Sequence, residues 1–126
     1  MDISIDFGIT VTDIMKRDKG VLSHQMTLSK EEPSLSLLKK LLPDIDFKSD
    51  VNFLAVTGGK HLNLGNKIDS TKIIHVNEID AVGEGAMNLS GLSDKSPTII
   101  VSAGSVSYTH LRAPRDRQKS RMPSSA

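Results

Sequence analysis

Cysteine is absent from the 126 residues, so neither disulfides nor thiolate metal sites are available. Apolar runs of the roughly 18 residues needed for a membrane helix are missing, and the N-terminus lacks the pattern of a secretory signal. A soluble, cytoplasmic protein is the expectation, and the length allows one domain at most. No internal repeat is found, and residues 29–50, though rich in Ser and Lys, are not of low complexity. An overall excess of one charge is also lacking, since the net charge is only +1. Its distribution is uneven. Residues 106–126 carry five basic side chains against Asp116, whereas residues 1–105 carry 11 basic and 14 acidic ones.

The basic segment VSYTHLRAPRDRQKSRMPSSA has no apolar period and holds the chain's single Tyr, Tyr108. One reading is a disordered basic arm for nucleic acid. Back-translation gives another. GTC TCT TAT ACA CAT CT spells Val106 to His110 and opens Leu111, and resembles the transposase end used in shotgun sequencing libraries. CTC CGA GCC CCA CGA GAC continues it through Asp116, and TCT CGT ATG CCG TCT TCT GCT, for Ser120 to Ala126, resembles a flow-cell primer end. Arg117 to Lys119 fill the place of a sample index. Residues 106–126 therefore read as a disordered, non-native tail, set aside from fold reasoning. On this reading residues 1–105 are an incomplete native domain whose own sequence continues past Gly104.

Residues 1–104 read as α/β. Ile3-Ser4-Ile5-Asp6-Phe7 alternates and is β-branched, as a strand should be. Gly8 marks a turn, 10–15 a returning strand, Asp18-Lys19-Gly20 a second turn and 21–28 a third strand, making a meander. Leu35, Leu38, Leu41 and Leu42 share one helix face over 34–42, with Ser34 as N-cap and Pro43 as stop. Residues 51–56 form a short apolar run suited to a buried parallel strand. Thr57-Gly58-Gly59 is expected to turn from strand to helix, and 72–76 to be another strand. Asn77 caps an expected helix over 78–90 with Ile79, Val82, Ala86 and Leu89 on one face. Gly83 and Gly85 weaken it by ~1 kcal/mol each relative to Ala, so they need a packing reason or the helix is short. A last strand is expected at 98–101.

Three segments can carry chemistry. Asp6 at a strand end can hold a hydrated Mg²⁺, Gly8 admits backbone N–H groups close to a phosphate, and Thr10 adds a hydroxyl. The plain alternative is a hairpin using Asp and Gly as turn residues. Glu78 and Asp80, at a helix start after a strand, can accept a hydroxyl proton; equally, acidic residues favour a first helical turn through the dipole. Thr57-Gly58-Gly59-Lys60-His61 lacks the upstream glycine and the following Ser or Thr of a Walker A loop, yet its amides can line a ligand. A tight connecting turn is the simpler role. His24, His61 and His75 lack metal-ligand spacing. Gly83-Glu84-Gly85 lies inside a helical pattern rather than after a strand, which excludes a dinucleotide loop.

Together, these segments resemble the acetate and sugar kinase, heat-shock-70 and actin superfamily, and within it the type II (eukaryotic-like) pantothenate kinase family. Ile5 to Thr10 is similar to the first phosphate motif D-x-G-G-T, and Leu54 to Gly59 to the T-G-G turn. Glu78-Ile79-Asp80-Ala81 with Gly85 is similar to the E-x-D-A…G helix start, and Ile100 to Gly104 to the approach to a second phosphate motif. The order is right and the match covers nearly all of 1–104. The resemblance implies the N-terminal lobe of a ribonuclease H-like (actin-like ATPase) fold, cut short, with a mixed sheet opened by a three-strand meander. It implies transfer of a phosphoryl group from Mg·ATP to pantothenate, a step of coenzyme A biosynthesis, by positioning and charge stabilisation. In that scheme Asp6 orients Mg²⁺ or its water and has a catalytic part. Gly8, Thr10 and Gly104 meet ATP phosphates, Gly58 and Gly59 line the substrate, and Glu78 is the base. The expected partner is a small molecule rather than nucleic acid or membrane, and the parent can be a homodimer.

Two residues depart from the pattern. Ile9 replaces the second glycine of the first phosphate motif, and Asp13 stands where these kinases have a lysine. Thr10-Val11-Thr12-Asp13 instead resembles the N-terminal G-G-T-F-T-D motif of hydantoinases and oxoprolinases, which use ATP in cleaving cyclic amides. A non-catalytic ligand-binding member of the superfamily is the third expectation. By itself the 126-residue chain is expected to be inactive.

Overall fold

The computed structural model describes residues 1–91 and 98–101, with the backbone alone at 110–111 and 122–123. The chain divides into two units, Met1–Val76 and Asn77–Ala126.

The first unit is α/β. Its strands are β1 (Asp2–Phe7), β2 (Val11–Asp18), β3 (Val21–Leu28), β4 (Phe53–Gly58), β5 (Lys67–Ile68) and β6 (Thr71–His75). They form one mixed sheet in the order β3-β2-β1-β4-β6-β5. β1, β4 and β6 run parallel, while β1–β2, β2–β3 and β5–β6 pair antiparallel. The meander expected from the alternating start is therefore present. Its second turn has positive φ at both Lys19 (51°) and Gly20 (78°), the backbone of a two-residue hairpin that follows strand twist.

Ile3, Ile5 and Phe7 alternate onto one face of the sheet, where they are buried with Ile14, Leu54, Val56 and Ile73. α1 (Leu35–Leu41) adds Leu38 to this core, and its C-cap residue Leu42 joins it. Burial of such aliphatic side chains is worth about 1.5–3 kcal/mol each. Ser34 caps α1 as expected, its hydroxyl accepting from the Leu37 N–H at 3.0 Å. Leu35, assigned to the same face by spacing, is exposed. Phe47 completes the core from a polar stretch, and its carbonyl accepts a hydrogen bond from the buried Thr71 hydroxyl.

The strand expected at 51–56 lies two residues later, because Val51 enters the core before pairing begins. No α-helix follows the Thr57-Gly58-Gly59 turn. A four-residue 3-10 helix, His61–Leu64, leads instead into the β5–β6 hairpin. Positive φ at Gly65 (72°) stops helical continuation, Asp69 (53°) turns the following hairpin, and Leu64 and Ile68 pin the segment to the core.

In the second unit, α2 (Glu78–Ser90) has the expected bounds. The Asn77 side chain accepts from the N–H groups of Ile79 (2.9 Å) and Asp80 (3.4 Å). Gly91, at φ 68°, ends the helix. The helix runs its full thirteen residues although nothing among the described residues lies within 4 Å of a Cβ placed at Gly85, so their packing does not explain that glycine. Leu89, placed on the apolar face by spacing, is 92% exposed. The strand expected at 98–101 is reduced to a single bridge residue, Ile100. Of the tail 106–126, only β7 (His110–Leu111) and β8 (Met122–Pro123) are described, paired antiparallel; the remainder, and the disorder expected of it, lie outside the described residues. No helix among the described residues is long and apolar enough to cross a membrane.

Candidate functional site

The carboxyl ends of the parallel strands β1 and β4 meet at Phe7 and Gly58, which are register partners. Open α/β sheets take ligands beyond such strand ends. Four of the expected residues lie here, Asp6 and Gly58 at the ends of adjacent strands and Gly8 and Gly59 just beyond them, and Thr10 ends the loop between β1 and β2.

Gly8 is required by close approach. A Cβ there would fall 2.3 Å from the Val11 carbonyl oxygen, inside any real contact distance. The Gly8 N–H folds back to the Asp6 carbonyl at 3.1 Å. Ile9 is 66% exposed at the loop tip, so its bulk meets no packing constraint.

The loop is fastened from β3. Ser29 Oγ donates to the Gly8 carbonyl at 2.7 Å and lies 2.8 Å from the buried Thr12 hydroxyl. The Ser29 N–H also bonds the Thr10 carbonyl at 2.9 Å. Sequence reading missed Ser29, because only the meander register brings it beside residues 8–12.

Gly58 locks the other side. Its φ of +98° disfavours any side chain, and a Cβ would lie 2.4 Å from the Phe7 oxygen and 2.8 Å from Asp6 Oδ1. Gly59 donates its N–H to the same Phe7 oxygen at 2.9 Å. The T-G-G turn is thus seated on the backbone next to the Asp6 carboxylate. Thr57 Oγ1 is buried with no hydrogen-bond partner among the described residues. Lys60, in the left-handed region at φ 54°, contacts the Glu32 carboxylate.

Asp13 lies directly opposite Asp6 in the β1–β2 ladder, and His24 Nε2 on β3 is 2.8 Å from its carboxylate. Two carboxylates on one face create a negative field that repels a bare phosphate and attracts a cation. Among the described residues no group of three or more His, Cys, Asp or Glu side chains is placed to hold a metal. Hydrated Mg²⁺ asks for less, one or two carboxylates with water and phosphate oxygens completing its shell. Asp6 beside a glycine cradle fits that donor set.

His61 and His75 also meet, with Nδ1 atoms 2.9 Å apart, and His75 Nε2 lies 2.5 Å from the Gly65 carbonyl. Donation from Nε2 to that carbonyl leaves His75 Nδ1 to accept from His61 in the neutral pair. Their separation in sequence gave no signal of this contact.

Glu78 opens α2 in the second unit, with Asp80 in the same first turn. Gly104 lies outside the described residues. No protein-family model matches the chain, and no curated protein shows significant similarity to it.

Proposed function

We propose that residues 1–105 are the incomplete N-terminal lobe of an ATP-dependent small-molecule kinase with a ribonuclease H-like fold, resembling the type II pantothenate kinases. The observation that carries this reading is the seating of Gly58 against Asp6 and Phe7, which puts the T-G-G turn beside the Asp6 carboxylate at the strand end that leads into the Gly8 loop. The β3-β2-β1-β4 order with parallel β1 and β4 supports it, since it brings D-x-G and T-G-G to the same sheet end.

Asp6 would hold Mg²⁺ or orient its water, and Gly8 and Thr10 would meet the phosphates, with Gly104 opening a second phosphate loop. The metal would supply neutralisation of the phosphate charge. Gly58 and Gly59 would line the pantothenate side, and Glu78 would accept the proton of the substrate hydroxyl. The chain by itself would not turn over.

Asp13 favours a second reading, an N-terminal part of a hydantoinase- or oxoprolinase-like enzyme, because a carboxylate held by His24 takes the place of the kinases' lysine. A non-catalytic ligand-binding member is the third. The test is ADP release by the parent protein extended past Gly104. Pantothenate-dependent release, lowered about 10²–10⁴-fold by Glu78→Gln and abolished by Asp6→Asn, is expected. Release that depends on a cyclic amide would replace the kinase reading with the second, and no release with either substrate would leave the binding member.

A further inference from the structure

β3 is the outer strand of the sheet, and its outer backbone edge pairs with no other strand among the described residues. The phase of the ladder tells which groups are free. Ser29 donates its N–H to Thr10 across the β2–β3 register, so the odd-numbered residues of β3 bond to β2. The N–H and C=O groups of Leu22, His24, Met26 and Leu28 therefore point away from the sheet, because antiparallel residues alternate in direction.

Sheet edges are usually guarded by charge, proline, a bulge or short length. Val21–Leu28 has none of these guards. It is eight residues long, contains no Asp, Glu, Lys, Arg or Pro, and keeps unbroken register with β2 from Leu28 to Val21. Val21, Leu22, Met26 and Leu28 are each at least 60% exposed.

We propose that β3 is a self-association edge, and that a second copy of this chain adds its own β3 antiparallel about a two-fold axis lying between the two strands, where Gln25 faces Gln25 of the partner subunit. Such an axis, normal to the sheet, keeps the same face uppermost in both copies. Leu22 then faces Leu28 of the partner subunit, and His24 faces Met26 of the partner subunit. All four outward residues of each strand are used, giving about eight new backbone hydrogen bonds. No like charges oppose one another within the strands.

The rest of the sheet explains why the occupant is one further copy rather than an open series. The opposite edge is β5, only two residues long, which cannot pair with an eight-residue strand. Head-to-tail growth is therefore blocked, and pairing of β3 with β3 closes after two chains. This inference stands on the edge alone and is independent of the kinase reading.

The full chain is tested by sedimentation across a wide concentration range, with residue-resolved hydrogen exchange. A monomer–dimer equilibrium is expected. The amides of Leu22, His24, Met26 and Leu28 should gain protection as dimer forms, while the odd-numbered amides of β3 are protected at every concentration. Met26→Pro removes one outward donor and leaves the β2 ladder intact, since a proline N faces solvent harmlessly on an edge strand. It should weaken association at least tenfold with an unchanged circular dichroism spectrum. Met26→Lys is the second variant, adding charge at an exposed site, and should do the same. The proposal is overturned by a strictly monomeric wild-type chain, by a dimer in which those four amides stay unprotected, or by protection that comes instead from a different protein's peptide.

Discussion

Asp6 and Asp13 are direct partners across the β1–β2 ladder, and the His24 ring is bonded to the second of them at 2.8 Å. Like charges opposite one another cost a sheet stability. Asp13→Asn removes that repulsion and can keep a bond to His24. It is expected to raise stability by about 0.2–1 kcal/mol, read as a higher urea midpoint with an unchanged denaturant slope. A lower midpoint would mean that the Asp13–His24 contact outweighs the repulsion.

Ser29 ties the first loop to β3 through its hydroxyl and its amide. Ser29→Ala leaves the Gly8 carbonyl without that donor and takes the partner from the buried Thr12 hydroxyl. A loss of about 1–3 kcal/mol is expected. Amide chemical-shift changes should centre on residues 8–12, and a change confined to residue 29 and its chain neighbours would contradict the tie.

Asp46 carries a pH signature. Its carboxylate accepts from the Lys48 N–H at 3.0 Å, and this bond, helped by Ser49, holds its pKa below the usual aspartate value. A lowered folded-state pKa adds stability that is present above the unfolded pKa and lost as pH falls through the folded one. The wild-type chain should therefore lose stability relative to Asp46→Asn on acidification through that window. Thermal midpoints of the two proteins against pH measure the difference, and parallel curves would refute it. Because the group is fully exposed, the effect should be small.

The meander was legible because Ile3, Ile5 and Phe7 alternate and Asp18-Lys19-Gly20 is a turn by composition. Ser34 and Asn77 marked helix starts through their side-chain chemistry, which acts within three residues. The segment after Gly59 was not legible, since a two-residue strand such as β5 has no period to detect. Leu64 and Ile68, four apart, match helical spacing although they flank a left-handed glycine. Phe47 lies among polar neighbours, so nothing local marked it as core. Of the site, the glycines and Asp6 were visible as turn and strand-end residues, whereas Ser29, the His24 contact and the His61–His75 pair arise from register and crossover alone.

The position of β1 between β2 and β4 has a consequence for how the chain gains its shape. Its contacts with β2 span only a tight loop, so the first 28 residues can zip together early. Its contacts with β4 bring Asp2 beside Phe53 and must wait for a long loop to close. The bond from Gly59 to Phe7 belongs to that late event. The D-x-G loop is therefore expected to take its form before the T-G-G turn docks on Phe7, and the contact between them to be a product of the slow step.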